Sequence, residues 1–188
     1  MNRVHKNFSR RARVATGGAV LAVVALAGFG AVSANASAPA TASAAGSVVA
    51  PARATTTSTH LTTDAAAKTA QAALDAAEKE NQRVTVAVVD RNGNTIVTLR
   101  GDGAGPQSYE SAERKAFTAV AWNAPTSQLA ERLEQAPNLK DIPGTLFLAG
   151  GVPVTADRAP IAGIGVAGAP SGALDEKYAQ AGADALAR

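Results

Sequence analysis

A Pro-Gly entry and a Gly-Gly-x-Pro exit bracket one apolar stretch, Ile142-Pro143-Gly144-Thr145-Leu146-Phe147-Leu148-Ala149-Gly150-Gly151-Val152-Pro153-Val154, and limit what the chain around it can become. Pro143 fixes its own φ and removes a backbone donor, while Gly144 takes φ values closed to other residues. Gly150 and Gly151 carry no side chain, so backbone or a ligand can come close. The pattern predicts a strand from Pro143 to Val154 with Leu146–Leu148 as its apolar core. Such a strand is either a core element between two turns or the wall of a flat apolar pocket.

Residues 1–36 differ from the rest. Arg3, Lys6, Arg10, Arg11 and Arg13 stand in an acid-free opening, followed by the apolar run Ala19–Val32 and by Ser33-Ala34-Asn35-Ala36. A basic n-region, an apolar run too short to span a bilayer and an Ala-x-Ala site predict an export signal cleaved after Ala36. Ser9-Arg10-Arg11 resembles a twin-arginine signal, which would export the domain already folded. Residues 37–59 are mostly Ala, Ser, Thr and Pro with one charge, Arg53, and are expected to form a flexible tether, because so little apolar area cannot offset chain entropy.

Loss of the signal reverses the charge. It carries five of the 18 basic residues and none of the 15 acidic ones, leaving 13 against 15, a net −2. No basic footprint for nucleic acid then remains. The absence of cysteine excludes disulfides, thiolate metal sites and cysteine nucleophiles. Stability has to come from a packed core, for which residues 60–188 suffice as one domain.

Within that domain Thr62 caps a helix predicted to run to about Asn81, with Ala66, Ala70, Ala73, Leu74 and Ala77 as a narrow apolar stripe. Val84–Val89 and Thr95–Leu99 read as strands joined by the turn Asp90-Arg91-Asn92-Gly93-Asn94. Helices are expected over Ser108–Trp122 and Ser127–Gln135. The Pro143–Val154 strand follows, with the short Val152–Thr155 piece as a strand of its own, then a turn near Ala156–Ala159, a strand Ile161–Val166 whose Gly163 and Gly165 imply close approach, and a helix Ser171–Arg188. Strands in runs joined by hairpins predict an α+β fold, an antiparallel sheet with helices on its faces.

Chemistry is constrained by what is missing. Without residues 1–36 the chain keeps one histidine, His60, and no methionine. A Ser-His-Asp hydrolase would need that histidine at the edge of the domain, poor ground for a preorganised triad. The glycine-rich Gly101–Gly105 and Gly163-Ile164-Gly165 lack phosphate-loop spacing. Glu110 and Glu113 stand at i and i+3 of a predicted helix, so their carboxylates share a face. They form either hard oxygen ligands for iron, manganese or magnesium, or a solvated face beside Arg114 and Lys115.

Four motifs in order resemble one family. They are Val86-Ala87-Val88-Val89-Asp90-Arg91-Asn92-Gly93, Glu113-Arg114-Lys115-Ala116-Phe117-Thr118-Ala119, Pro143-Gly144 to Gly150-Gly151-Val152-Pro153, and Ile161-Ala162-Gly163-Ile164-Gly165-Val166-Ala167-Gly168. Together they resemble the GlcG/HbpS-like, haem-degrading-domain family over residues 60–188, and the signal and tether resemble its secreted actinobacterial haem-binding branch. The resemblance implies a profilin/PAS-like antiparallel sheet flanked by helices and assembly as a homo-octamer. It implies haem binding with Thr145 as an oxygen ligand, and iron binding by His60, Glu110 and Glu113. It also implies slow haem degradation releasing iron, and redox sensing under oxidative stress through a membrane sensor histidine kinase of a two-component system. The product would be secreted or cell-wall associated, with haem and iron as cofactors and no nucleic-acid partner. Two other roles are compatible with the same resemblance: a haem-degrading enzyme first and foremost, or a binding module for another planar or corrinoid ligand.

Overall fold

Short-range chemistry sets the first helix. The Thr62 hydroxyl accepts a hydrogen bond from the Ala65 amide at 3.2 Å and starts α1, Thr63–Lys79. Its buried residues, Ala66, Thr69, Ala70, Ala73, Leu74 and Ala77, are the predicted stripe with Thr69 added. The structure, a computed structural model, describes residues 47–187. The predicted export signal and the first part of the predicted tether lie outside the described residues. Residues 47–60 are exposed and contain one 3-10 turn, Ala52–Ala54. Ala50–Arg188 makes up one unit of the chain.

After α1 come β1, Thr85–Asp90, and β2, Thr95–Arg100, then α2, Gln107–Trp122, and a short α3, Thr126–Glu131. β3, Gly151–Ala156, β4, Ala159–Ala167, and α4, Gly172–Asp184, complete the order. The four strands form one antiparallel sheet in the order β2-β1-β4-β3. The β1–β2 turn is held by Asp90, whose carboxylate accepts from the Asn92 amide at 2.8 Å and the Asn94 amide at 2.9 Å, while Gly93 takes φ +87°. The β3–β4 turn places Asp157 and Arg158 both at positive φ, the geometry that matches strand twist. Pro153 sits on the edge strand β3, where its missing donor is tolerated.

Both faces of the sheet are covered. On one, α1 and α4 pack over Val84, Val86, Val88, Val152, Ile164 and Val166. Tyr178 of α4 is buried there, and its hydroxyl donates to Glu80 at 2.9 Å. On the other face α2 lies directly on the backbone of β4. A Cβ at Gly163 would fall 2.1 Å from the Ala116 carbonyl oxygen, and one at Gly165 would fall 2.0 Å from that of Ala112. The predicted close approach is therefore between strand and helix backbones. This is the expected α+β architecture, an antiparallel sheet flanked by helices.

One predicted strand is absent. Leu146–Leu148 is irregular, and β3 begins only at Gly151. The chain reaches this segment through 3-10 turns, Arg132–Glu134 and Pro137–Asp141, and reverses at Gly144 with φ +81°. Side chains from α2 take the Thr145 carbonyl and the Leu146 amide, groups that a strand would have put into a ladder.

Candidate functional site

Thr145 lies where α2 meets this irregular segment. The Arg114 guanidinium donates to the Thr145 carbonyl at 2.7 Å, and the Leu146 amide donates to the Thr118 hydroxyl at 2.7 Å. The Thr145 hydroxyl donates to the Ile142 carbonyl at 2.7 Å, and the residue is only 2 % exposed. Phe117 of α2 fills the space between the β1–β2 turn and the segment: a Cβ on Gly93 would lie 2.6 Å from its ring, and one on Gly144 would lie 3.5 Å away. Phe147 packs edge-on to Trp122 at 5.7 Å between centroids. Ile142 and Leu148 face outward, 40 % and 58 % exposed.

The far end of the segment is tied by α4 and α3. Glu176 of α4 accepts from the Gly150 amide at 3.2 Å, the Ser127 amide at 3.0 Å and the Ser127 hydroxyl. Thr126 accepts from the Gly151 amide at 2.7 Å. Beneath Gly150 lies a buried ion pair. Lys115 Nζ donates to Asp175 at 2.7 Å and to the Val166 carbonyl at 3.0 Å, with the two side chains 6 % and 5 % exposed. Burial pushes the Asp175 carboxyl above its usual range, against the pull of Lys115 and of the Ala169 and Gly168 amides.

The three predicted iron ligands do not gather into one cluster. Glu110 is exposed on α2, 3.6 Å from Arg114, whereas Glu113 accepts from Thr98 at 3.2 Å and Thr95 at 3.4 Å and so leans towards β2. His60 is exposed, with Nε2 2.6 Å from the Ser58 hydroxyl. It lies near Asp90: burial raises that carboxyl, but hydrogen bonds from Asn94 and Asn92, with the charge of His60, hold it below the usual range. Among the described residues no three His, Cys, Asp or Glu side chains gather closely enough to hold a metal ion. Lys115 is buried and faces the sheet rather than solvent, and its spacing with Ala112, Ala116 and Ala119 was the available signal. Glu176 carried no such signal, because its partners are distant in sequence. A polar cleft lined by Glu78, Asn81, Gln82, Arg83, Gly101 and Asp102 shares no residue with this region. No described helix is long and apolar enough to cross a membrane.

Solved structures that resemble this chain include three with a bearing on its function. A double Glu-to-Asp variant of Streptomyces reticuli HbpS is 73 % identical, with a TM-score of 0.75 and coverage of 76 % of this chain and 98 % of that one. A crystal structure of HbpS is 76 % identical, with a TM-score of 0.73 and coverage of 74 % and 99 %. The PduOC:heme complex is 27 % identical, with a TM-score of 0.62 and coverage of 68 % and 95 %. The family model described as haem degrading protein HbpS-like matches residues 61–184, and the chain belongs to that family.

Proposed function

We propose that this chain is an exported haem- and iron-binding protein that assembles as a homo-octamer and, in response to redox stress, modulates a membrane sensor histidine kinase. The observation that carries the haem reading is membership of the HbpS-like family together with likeness to a relative solved as a haem complex. The residue types around Thr145 suit the group, and its 2 % exposed hydroxyl would have to be uncovered to meet it. Among the usual axial ligand types outside the predicted signal, Tyr178 is buried on Glu80, while His60 and Tyr109 are exposed. The Thr145 hydroxyl donates its proton to Ile142 and keeps lone pairs for a metal. Exposed Ile142 and Leu148 and half-buried Leu146 suit one face of a planar macrocycle, and the Arg114 guanidinium suits a carboxylate. When bound, the haem iron would supply redox and peroxide chemistry. A neutral hydroxyl is a weak ligand, so the haem exchanges readily.

Iron binding rests on Glu110 and Glu113, one turn apart on α2. His60 joins them only by movement of its exposed segment or from a second copy in the assembly. The test titrates haemin into residues 37–188 and follows the Soret band, with Thr145→Ala alongside. A saturable shift weakened about tenfold or more in the variant is expected. Equal affinity and spectrum would remove Thr145, and retained iron binding after alanine replacement of His60, Glu110 and Glu113 would remove those three. The family's description as haem degrading favours a second reading, an enzyme that turns haem over. Catalytic rather than stoichiometric loss of haem absorbance with peroxide would select it.

A further inference from the structure

We propose that residues 145–149 form a strap that swings out before haem reaches Thr145, and that Glu176 is the positioning residue that latches it; this rests on the haem reading above. The strap lies between two glycines whose conformations suit hinges, Gly144 at φ +81° and Gly150 at φ +131°. It has no place in the sheet. Its N-terminal end is held to α2 by Arg114 and Thr118, and its C-terminal end to α4 by Glu176. Thr145 and Phe147 point inward and are buried, whereas Leu148 is exposed. At 2 % exposure the Thr145 oxygen is out of reach of a ligand as large as haem while the strap is down.

The Glu176 carboxylate is built for this task. It gathers the Gly150 amide, the Ser127 amide and hydroxyl, and the Thr126 hydroxyl at 3.5 Å, so one charged group joins α4, α3 and the hinge. Such charge-assisted bonds are stronger than neutral ones. The hinge also rests on the buried pair: a Cβ at Gly150 would lie 2.7 Å from Lys115 Nζ and 2.9 Å from Asp175 Cβ. That contact keeps position 150 a glycine and keeps the latch in register. No bond joins Glu176 to Thr145, so it acts only through the strap.

The experiment compares the protein with Glu176→Gln in two ways. Amide hydrogen exchange without haem reads the strap directly, and about tenfold faster exchange at residues 145–150, with β1 and β4 unchanged, is expected. Stopped-flow mixing with haemin reads the consequence: the association rate reaches a plateau set by opening, and that plateau rises about tenfold in the variant. Unaltered strap exchange, or a rate linear in haemin and equal in both proteins, would overturn the proposal. Should Glu176→Gln also accelerate exchange across the sheet, Ser127→Ala, which frees one bond of Glu176 without touching the strap, gives the same local increase on a smaller scale or refutes it. Absence of any saturable Soret shift in either protein would instead reject the haem reading, and the exchange result would still decide whether the latch exists.

Discussion

Thr69 is the one buried side chain among the described residues whose polar atom lacks a hydrogen-bond partner. It sits on α1 against Gly182 of α4, where a Cβ would come 2.8 Å from the Thr69 carbonyl oxygen and 3.4 Å from its Cγ2. An unsatisfied buried hydroxyl costs stability, and valine has the same shape without it. Thr69→Val is therefore expected to raise stability by about 1 kcal/mol in urea denaturation. A loss would mean that the hydroxyl is satisfied in solution. Lys115 shows the same limit of reading residues singly. Next to Arg114 and Glu113 it resembles a solvated charge, yet it is buried because α2 turns that position onto β4 and α4.

At the scale of elements, α2 and β4 meet backbone to backbone, and only glycine allows it. Gly165→Ala would drive a methyl to 2.0 Å from the Ala112 carbonyl oxygen, where no flexible side chain can yield. Overpacking of this kind is expected to cost about 3 kcal/mol, seen as a lower denaturation midpoint with loss of α2 protection in amide exchange. The predicted elements held wherever local chemistry was sufficient. Thr62 caps α1, Ser171 caps α4 by accepting from the Leu174 amide at 3.3 Å, and the Asn92-Gly93 turn joins β1 to β2. The apolar run Leu146–Leu148 is no strand: the Leu146 amide bonds Thr118 of α2, and the Thr145 carbonyl just before it bonds Arg114.

Across the whole molecule, the Lys115–Asp175 pair ties α2, β4 and α4 together from inside. Removing one partner leaves a buried charge, so Lys115→Met is expected to cost about 3 to 5 kcal/mol at neutral pH. The double change with Asp175→Leu should recover most of that, though not all, since the Ala169 amide and the Val166 carbonyl lose their partners. The pH dependence has a definite sign. A carboxyl whose folded pKa is raised favours the fold most below its unfolded value and loses that advantage as pH rises through the raised one. Lys115→Met removes the group that pulls Asp175 down, so its deficit should shrink in mild acid; an equal deficit at both pH values would refute this.

Local sequence was enough to specify the helices, the paired strands, the turns, the α+β class and the glycines of β4, because caps, periodicity and turn chemistry act within a few residues. The family resemblance was legible too, in four motifs that keep their order. The surroundings of Thr145 were not. The groups that hold its segment, Arg114, Thr118, Thr126 and Glu176, stand 25 to 31 residues away from the atoms they bind. Whether an apolar run becomes a strand depends on where its backbone polar groups find partners, and partners that far along the chain arrive only when α2, α3 and α4 are packed around the sheet.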